Sequence, residues 1–188
     1  MSTLGGVHLV FSFVAIGAGA IVVLMPKGTR WHRTLGHVYV MSMIGVVVTA
    51  LGIYDLTGRF GPFHFAALIG GLTLAAGMYT VLWRRPRGNW IESHATWMSW
   101  SYVGLMAAFF AESLSRFVMP RVAPFLDGTA LWGVFWTAVG VATFGVTAIG
   151  WWLVKTRLPR AVETTPAAIR RERDKLRSVD NEGLTMEC

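Results

Sequence analysis

Five apolar stretches divide the chain. They run from about Val7 to Met25, Leu35 to Tyr54, Phe63 to Trp83, His94 to Leu114 and Ala130 to Val154. Each is close to the ~20 residues with which an α-helix crosses a ~30 Å hydrocarbon layer. No water reaches the backbone in such a layer, so the amides must be satisfied within each segment, as helices. The breaks between stretches are short and hold Pro, Gly and charge: Pro26 to Arg33, Asp55 to Pro62, Arg84 to Gly88, and a longer one with Arg116, Pro120, Arg121, Pro124 and Asp127. The pattern predicts an all-α integral membrane bundle of five transmembrane helices over residues 1–158. Residues 159–188 read as a polar tail, with a short helix predicted from Ala167 to Leu176 behind Thr165 and Pro166.

Composition agrees with a lipid solvent. Hydrophobic residues make up 54% of the chain and charged residues only 14%, well below the quarter or so of a soluble domain. The net charge of +7 is explained by where the cations lie rather than by nucleic acid. If alternate loops share a side, one side holds 14 Lys and Arg and the other 3; without Arg160 and the five later basic residues the split is 8 to 3. The positive-inside rule then predicts a multi-pass protein of the cytoplasmic membrane, N-terminus outside and C-terminus in the cytoplasm. Met1 to Gly6 holds no Lys or Arg, so the first stretch reads as a retained helix. The single cysteine, Cys188, excludes an intramolecular disulfide and any Cys-based metal site.

The chemistry rests with the histidines: His8, His32, His37, His64 and His94. Ionisable residues in membrane spans are rare and usually functional. His8, His37, His64 and His94 stand near the starts of the first four stretches. His8 and His37 are 29 apart, His64 and His94 are 30 apart, and the two pairs are offset by 56 and 57. Helices 1–2 and 3–4 therefore read as a duplicated hairpin closing into an up-down four-helix bundle. Alternate helices lie diagonally across such a bundle. That predicts His8 with His64 near the outer face and His37 with His94 near the inner face, each pair able to give two axial imidazoles to a haem iron. His32 falls in the loop before the second stretch and has no matching partner. Arg30 and Arg33 beside it are candidates for haem propionates or anionic lipid. Met41 and Met98, four residues after His37 and His94, are alternative ligands or core filler.

The run Lys27-Gly28-Thr29-Arg30-Trp31-His32-Arg33-Thr34-Leu35-Gly36-His37-Val38-Tyr39, followed by His64 and His94, resembles a bacterial family of predicted membrane proteins known as domain of unknown function 2306, over roughly Val7 to Phe117. The alternate-helix histidine pairing also resembles the dihaem b-type cytochromes that carry electrons across membranes. That second likeness implies two b haems, one on His8 and His64, the other on His37 and His94.

The expected function is therefore a membrane dihaem electron carrier with a redox partner. A second possibility is a metal-dependent membrane hydrolase, in which zinc would sit on His8 and His64 with Asp55, Glu112 or Asp127, or on His32, His37 and His94 with Glu92. A third is a non-catalytic subunit of a larger membrane complex, with Trp132, Trp136, Trp151 and Trp152 facing lipid, pigment or a partner, or simply anchoring the interface.

Overall fold

The computed structural model describes residues 2–54, 58–86 and 89–163. Among them the ordered elements are helical: α1 (Thr3–Leu24), α2 (Arg30–Leu51), α3 (Pro62–Trp83), α4 (Trp90–Ser113), a π-helical turn (Leu114–Val118), the short α5 (Met119–Val122), a 3₁₀ turn (Ala123–Phe125) and α6 (Gly128–Glu163). Five spans are long and apolar enough to cross a membrane, the fourth running from Trp90 through the π turn to Phe125. The protein is thus a five-span helical bundle, as the hydropathy predicts.

Several boundaries differ from the sequence reading: α1 starts at Thr3 and α4 at Trp90, each about a turn early, and helical turns run on past Leu114 to Phe125 through the predicted loop. α2 starts at Arg30 rather than near Leu35, because the Thr29 hydroxyl accepts the His32 N–H at 3.1 Å and caps the helix. His32 is therefore a first-turn residue and not a loop residue, and His37 lies two turns inside. α6 continues through Pro159 to Glu163, past the predicted start of the tail; the predicted helix from Ala167 to Leu176 lies outside the described residues.

Helices α1 to α4 form a ring in which α1 packs on α2, α2 on α3, α3 on α4 and α4 back on α1, with α6 laid on α4. Lipid offers apolar side chains as good a home as another helix, so packing of small residues decides where helices touch. At Gly52, Gly45 and Gly19 on the α1–α2 and α1–α4 seams, the neighbours are Leu4, Phe11 and the rings of Tyr102 and Tyr39. Going up α1 the partners go down α2: His8 meets Thr49, and Gly19 meets Tyr39. The same reversal relates α1 to α4, where His8 faces Glu112 and Phe13 meets Phe109 at 6.3 Å. Both α2 and α4 are therefore antiparallel to α1 and parallel to each other. Gly77 admits Met98 to the α3–α4 seam, and Gly150 admits Val103 where α6 meets α4.

The core joins Ala15, Ala18, Tyr39, Met43, Leu74 and Leu105. In its middle the Tyr39 hydroxyl bonds the Ser101 hydroxyl at 3.0 Å, across the diagonal from α2 to α4. α1 and α3 begin at one end of the ring, called here the His8 end. α2 and α4 begin at the other, which carries Lys27, Arg30, Arg33, Arg84 and Arg85 and is called the basic end. There Lys27 closes α1 by donating to the Val22 and Val23 carbonyls at 2.7 and 2.6 Å. Burial lowers its pKa from the ordinary lysine value.

A methyl group at Gly19 would stand 2.5 Å from the Tyr102 ring, whereas one at Gly17 meets nothing within 4 Å. Gly19→Ala should cost about 1–3 kcal/mol through overpacking, and Gly17→Ala should leave stability unchanged or slightly raised. Unfolding in detergent checks this; equal effects would refute the tight α1–α4 seam.

Candidate functional site

The five histidines fall into two groups, one at each end of the ring. His8 sits on a stripe of α1 that continues, seven and eleven residues on, as Ala15 and Gly19; all three are buried. Its Nδ1 is 2.9 Å from Thr49 Oγ1. The Thr49 hydroxyl proton is already given to the Gly45 carbonyl at 2.6 Å and the Val46 carbonyl at 3.1 Å. Thr49 must then accept, so Nδ1 of His8 carries a proton and donates. The other nitrogen, Nε2, faces Glu112 Oε2 at 3.6 Å. Arg116, in the π turn that follows α4, grips the other oxygen, Oε1, through Nε at 2.8 Å and Nη2 at 2.7 Å. With Nδ1–H fixed, Nε2 and Oε2 face each other as a base and a carboxylate, and one shared proton turns that contact attractive. A π turn beside such a cluster is a common companion of functional sites.

His64 is buried at the third position of α3. The Gly61 N–H donates to its Nδ1 at 3.1 Å, and its ring lies between Tyr54 (4.6 Å) and Phe60 (4.8 Å). Because Nδ1 accepts, the ring proton of neutral His64 is on Nε2, an atom that is buried and has no partner among the described residues. The spacing placed His8 and His64 on one shared group. The structure bonds His8 to Thr49, sets it 3.6 Å from Glu112, and bonds His64 to its own helix start.

At the basic end, His94 is half-buried, and its Nδ1 is 2.9 Å from the Gly77 carbonyl of α3. A carbonyl only accepts, so His94 donates from Nδ1 and keeps its lone pair on Nε2. His37 also donates from Nδ1, to the Arg33 carbonyl of its own helix at 2.6 Å, but its side chain is exposed. Met41, one turn on, is 65% exposed on the same outward face. His32 faces the other way: it is half-buried, its Nδ1 is buried with no partner among the described residues, and it lies in electrostatic reach of Lys27 and His94. Arg30 is exposed over the Trp31 ring at 5.9 Å, and Arg33 is exposed beside it. An open groove of about 650 Å³ adjoins, lined by Ala76, Tyr79, Thr80, Arg85, Pro86 and Trp97.

Several other candidates have plainer roles. Met98 fills the space over Gly77. Asp127 Oδ1 accepts the Ala130 N–H at 2.7 Å, capping α6. Glu92 is exposed in the first turn of α4, and Asp55 lies outside the described residues. Among the described residues, no three His, Cys, Asp or Glu side chains gather where they could hold a metal ion. The four tryptophans of α6 face outward to differing degrees; Trp136 stacks on Phe63 at 6.4 Å, and Lys155 lies over Trp151 at 4.8 Å.

A five-span helical chain with this arrangement matches the family described as predicted membrane protein, DUF2306, over residues 5–143. The chain belongs to that family. The match takes in α1 to α4 and the first half of α6, and so every histidine of both groups. No curated protein and no solved structure matches the chain.

Thr49 carries no signal of its own in the sequence; its importance comes from standing across the α1–α2 seam from His8. Thr49→Val should leave the His8 Nδ1–H buried without an acceptor, at a cost of about 1–3 kcal/mol. Thr34→Val, at an exposed position whose hydroxyl bonds only the Arg30 carbonyl, should change stability little. Unfolding of both variants in detergent decides; an equal response would show that Thr49 does not hold His8.

Proposed function

We propose that this member of the DUF2306 family is a b-type haem-binding electron carrier of the cytoplasmic membrane, with its basic end in the cytoplasm and its N-terminus outside. One observation supports it above others. At each end of the ring a core-facing histidine gives its Nδ1–H to an oxygen of the next helix, His8 to Thr49 and His94 to Gly77. A neutral imidazole held this way offers its lone pair at Nε2, and histidines that ligate metals are nearly always fixed through the other nitrogen. A bound haem would supply a one-electron couple, tuned by its axial ligands and by burial.

The two ends fit such a group unequally. At the basic end the Gly77 carbonyl orients His94 and makes its Nε2 a better donor to a metal. Arg30 and Arg33 supply the cations for two carboxylates, and the α3–α4 seam half-buries the ring. At the His8 end, Glu112 stands in front of the His8 lone pair, and His64 presents an N–H rather than a lone pair. Those two rings do not offer two lone pairs to one iron, so the haem belongs at the basic end. The exposed arginines there also suit docking of a redox partner with an acidic face.

A zinc-dependent hydrolase is the second reading, favoured by the His8–Glu112 contact. Arg116 already neutralises that carboxylate, which weakens it as a metal ligand, so this reading stands behind the first.

Protein purified in mild detergent from cells able to make haem should show a Soret band and about one b haem per chain, and His94→Ala should lose most of it. Zinc at about one per chain with no Soret band would overturn the haem reading in favour of the hydrolase.

A further inference from the structure

The spacing of the sequence pairs His94 with His37. The geometry points instead to His32: we infer that His32 and His94 are the two imidazoles that face each other across the core at the basic end, forming a bis-histidine site for a transition-metal centre, which under the function proposed above is the haem iron. The inference rests on that reading for the identity of the metal centre, and on the fold alone for the pairing.

The pairing follows from one fixed contact and the period of the helix. Tyr39 of α2 and Ser101 of α4 touch across the diagonal, hydroxyl to hydroxyl. Residues seven apart on a helix lie within about 20° of the same face. They are about 10.5 Å apart along the axis. Seven residues before Tyr39 is His32, and seven before Ser101 is His94. Because α2 and α4 are parallel, both steps lead the same distance toward the basic end. The stripe also works in the other direction: four residues beyond the contact, Met43 and Leu105 are buried in one core cluster. His37 is about 140° around α2 from His32, which agrees with its exposure.

The atoms left over at this end agree. His94 has spent Nδ1 on Gly77 and keeps Nε2. His32 has a buried ring nitrogen, Nδ1, without a hydrogen-bond partner among the described residues. A buried, unpartnered nitrogen is costly, and a ligand that takes it removes that cost. His32 would thus bind through Nδ1 or, after its ring turns, Nε2. Ligation forms two nitrogen–metal bonds and displaces whatever held those positions on the metal; no electron is consumed in forming the site.

The test compares His32→Ala, His32→Gln, His37→Ala and His94→Ala in the full-length protein in detergent, with unfolding temperature recorded for each. Two readouts are taken: the low-spin bis-imidazole absorption and electron paramagnetic resonance signals of bound haem, and the nitrogen hyperfine pattern of Cu²⁺ added to haem-free protein. The expected result is loss of the low-spin signal, at least tenfold, in both His32 variants and in His94→Ala, with His37→Ala like the parent. Two-nitrogen Cu²⁺ coordination should drop to one nitrogen in the His32 variants. Low-spin haem that survives in folded His32→Gln but is lost in His37→Ala would overturn the pairing and leave the haem reading intact. Parent protein without haem would overturn the function proposed above, and the Cu²⁺ pattern alone would then decide the pair: unchanged coordination in His32→Gln defeats it.

Discussion

The hydrogen bond between Tyr39 and Ser101 is the contact on which the arrangement of the rest depends. A ring of four helices need not meet in its centre. Here it does, because Gly19 lets the Tyr39 and Tyr102 rings come close to α1 and because Ser101, fully buried, leaves room for a phenol opposite it. In lipid the unmet hydroxyls would find no water, so the bond fixes how α2 and α4 are rotated toward each other as well as how close they come. Once that rotation is fixed, the helical period decides which residues of both helices share the core at either end.

From this one register the two ends acquire different chemistry. At the His8 end, α1, α2, α4 and the π turn bring together an imidazole, a hydroxyl, a carboxylate and a guanidinium. At the basic end the core-facing groups are imidazole nitrogens with a lone pair or with no partner among the described residues, in reach of Lys27. The duplicated spacing of His8–His37 and His64–His94 thus conceals an asymmetry. His8 and His94 are similarly tied through Nδ1, whereas His64 closes its own helix start and His37 turns outward.

The five spans were legible in the hydropathy, because length and apolarity alone decide what crosses a bilayer. The up-down ring was legible too, since short connections force neighbouring helices to be antiparallel. The place of His32 was not. Hydropathy sets a helix start at the first apolar residue, near Leu35, while the polar first turn from Arg30 is apolar only on the Trp31 side. Thr29, a capping residue just before that turn, marked the true start. With the helix extended, the run His32, Tyr39, Met43 repeats the i, i+7, i+11 pattern of His8, Ala15, Gly19 and of His94, Ser101, Leu105, and singles out His32 over His37. Thr49, the hydroxyl that sets the His8 tautomer, could not be read from one chain, because its role exists only where α1 and α2 touch. Glu112 was visible as a carboxylate at the same end as His8, but its capture by Arg116 depends on the turn after α4.

A double-mutant cycle of Tyr39→Phe and Ser101→Ala, read as unfolding free energy in a membrane mimetic, tests the central contact most directly. The account predicts that the two losses are not additive, with a coupling on the order of 0.5–1.5 kcal/mol as for hydrogen bonds between transmembrane helices. Full additivity, with no coupling beyond error, would mean that α2 and α4 do not meet through these hydroxyls and would remove the basis for setting His32 opposite His94.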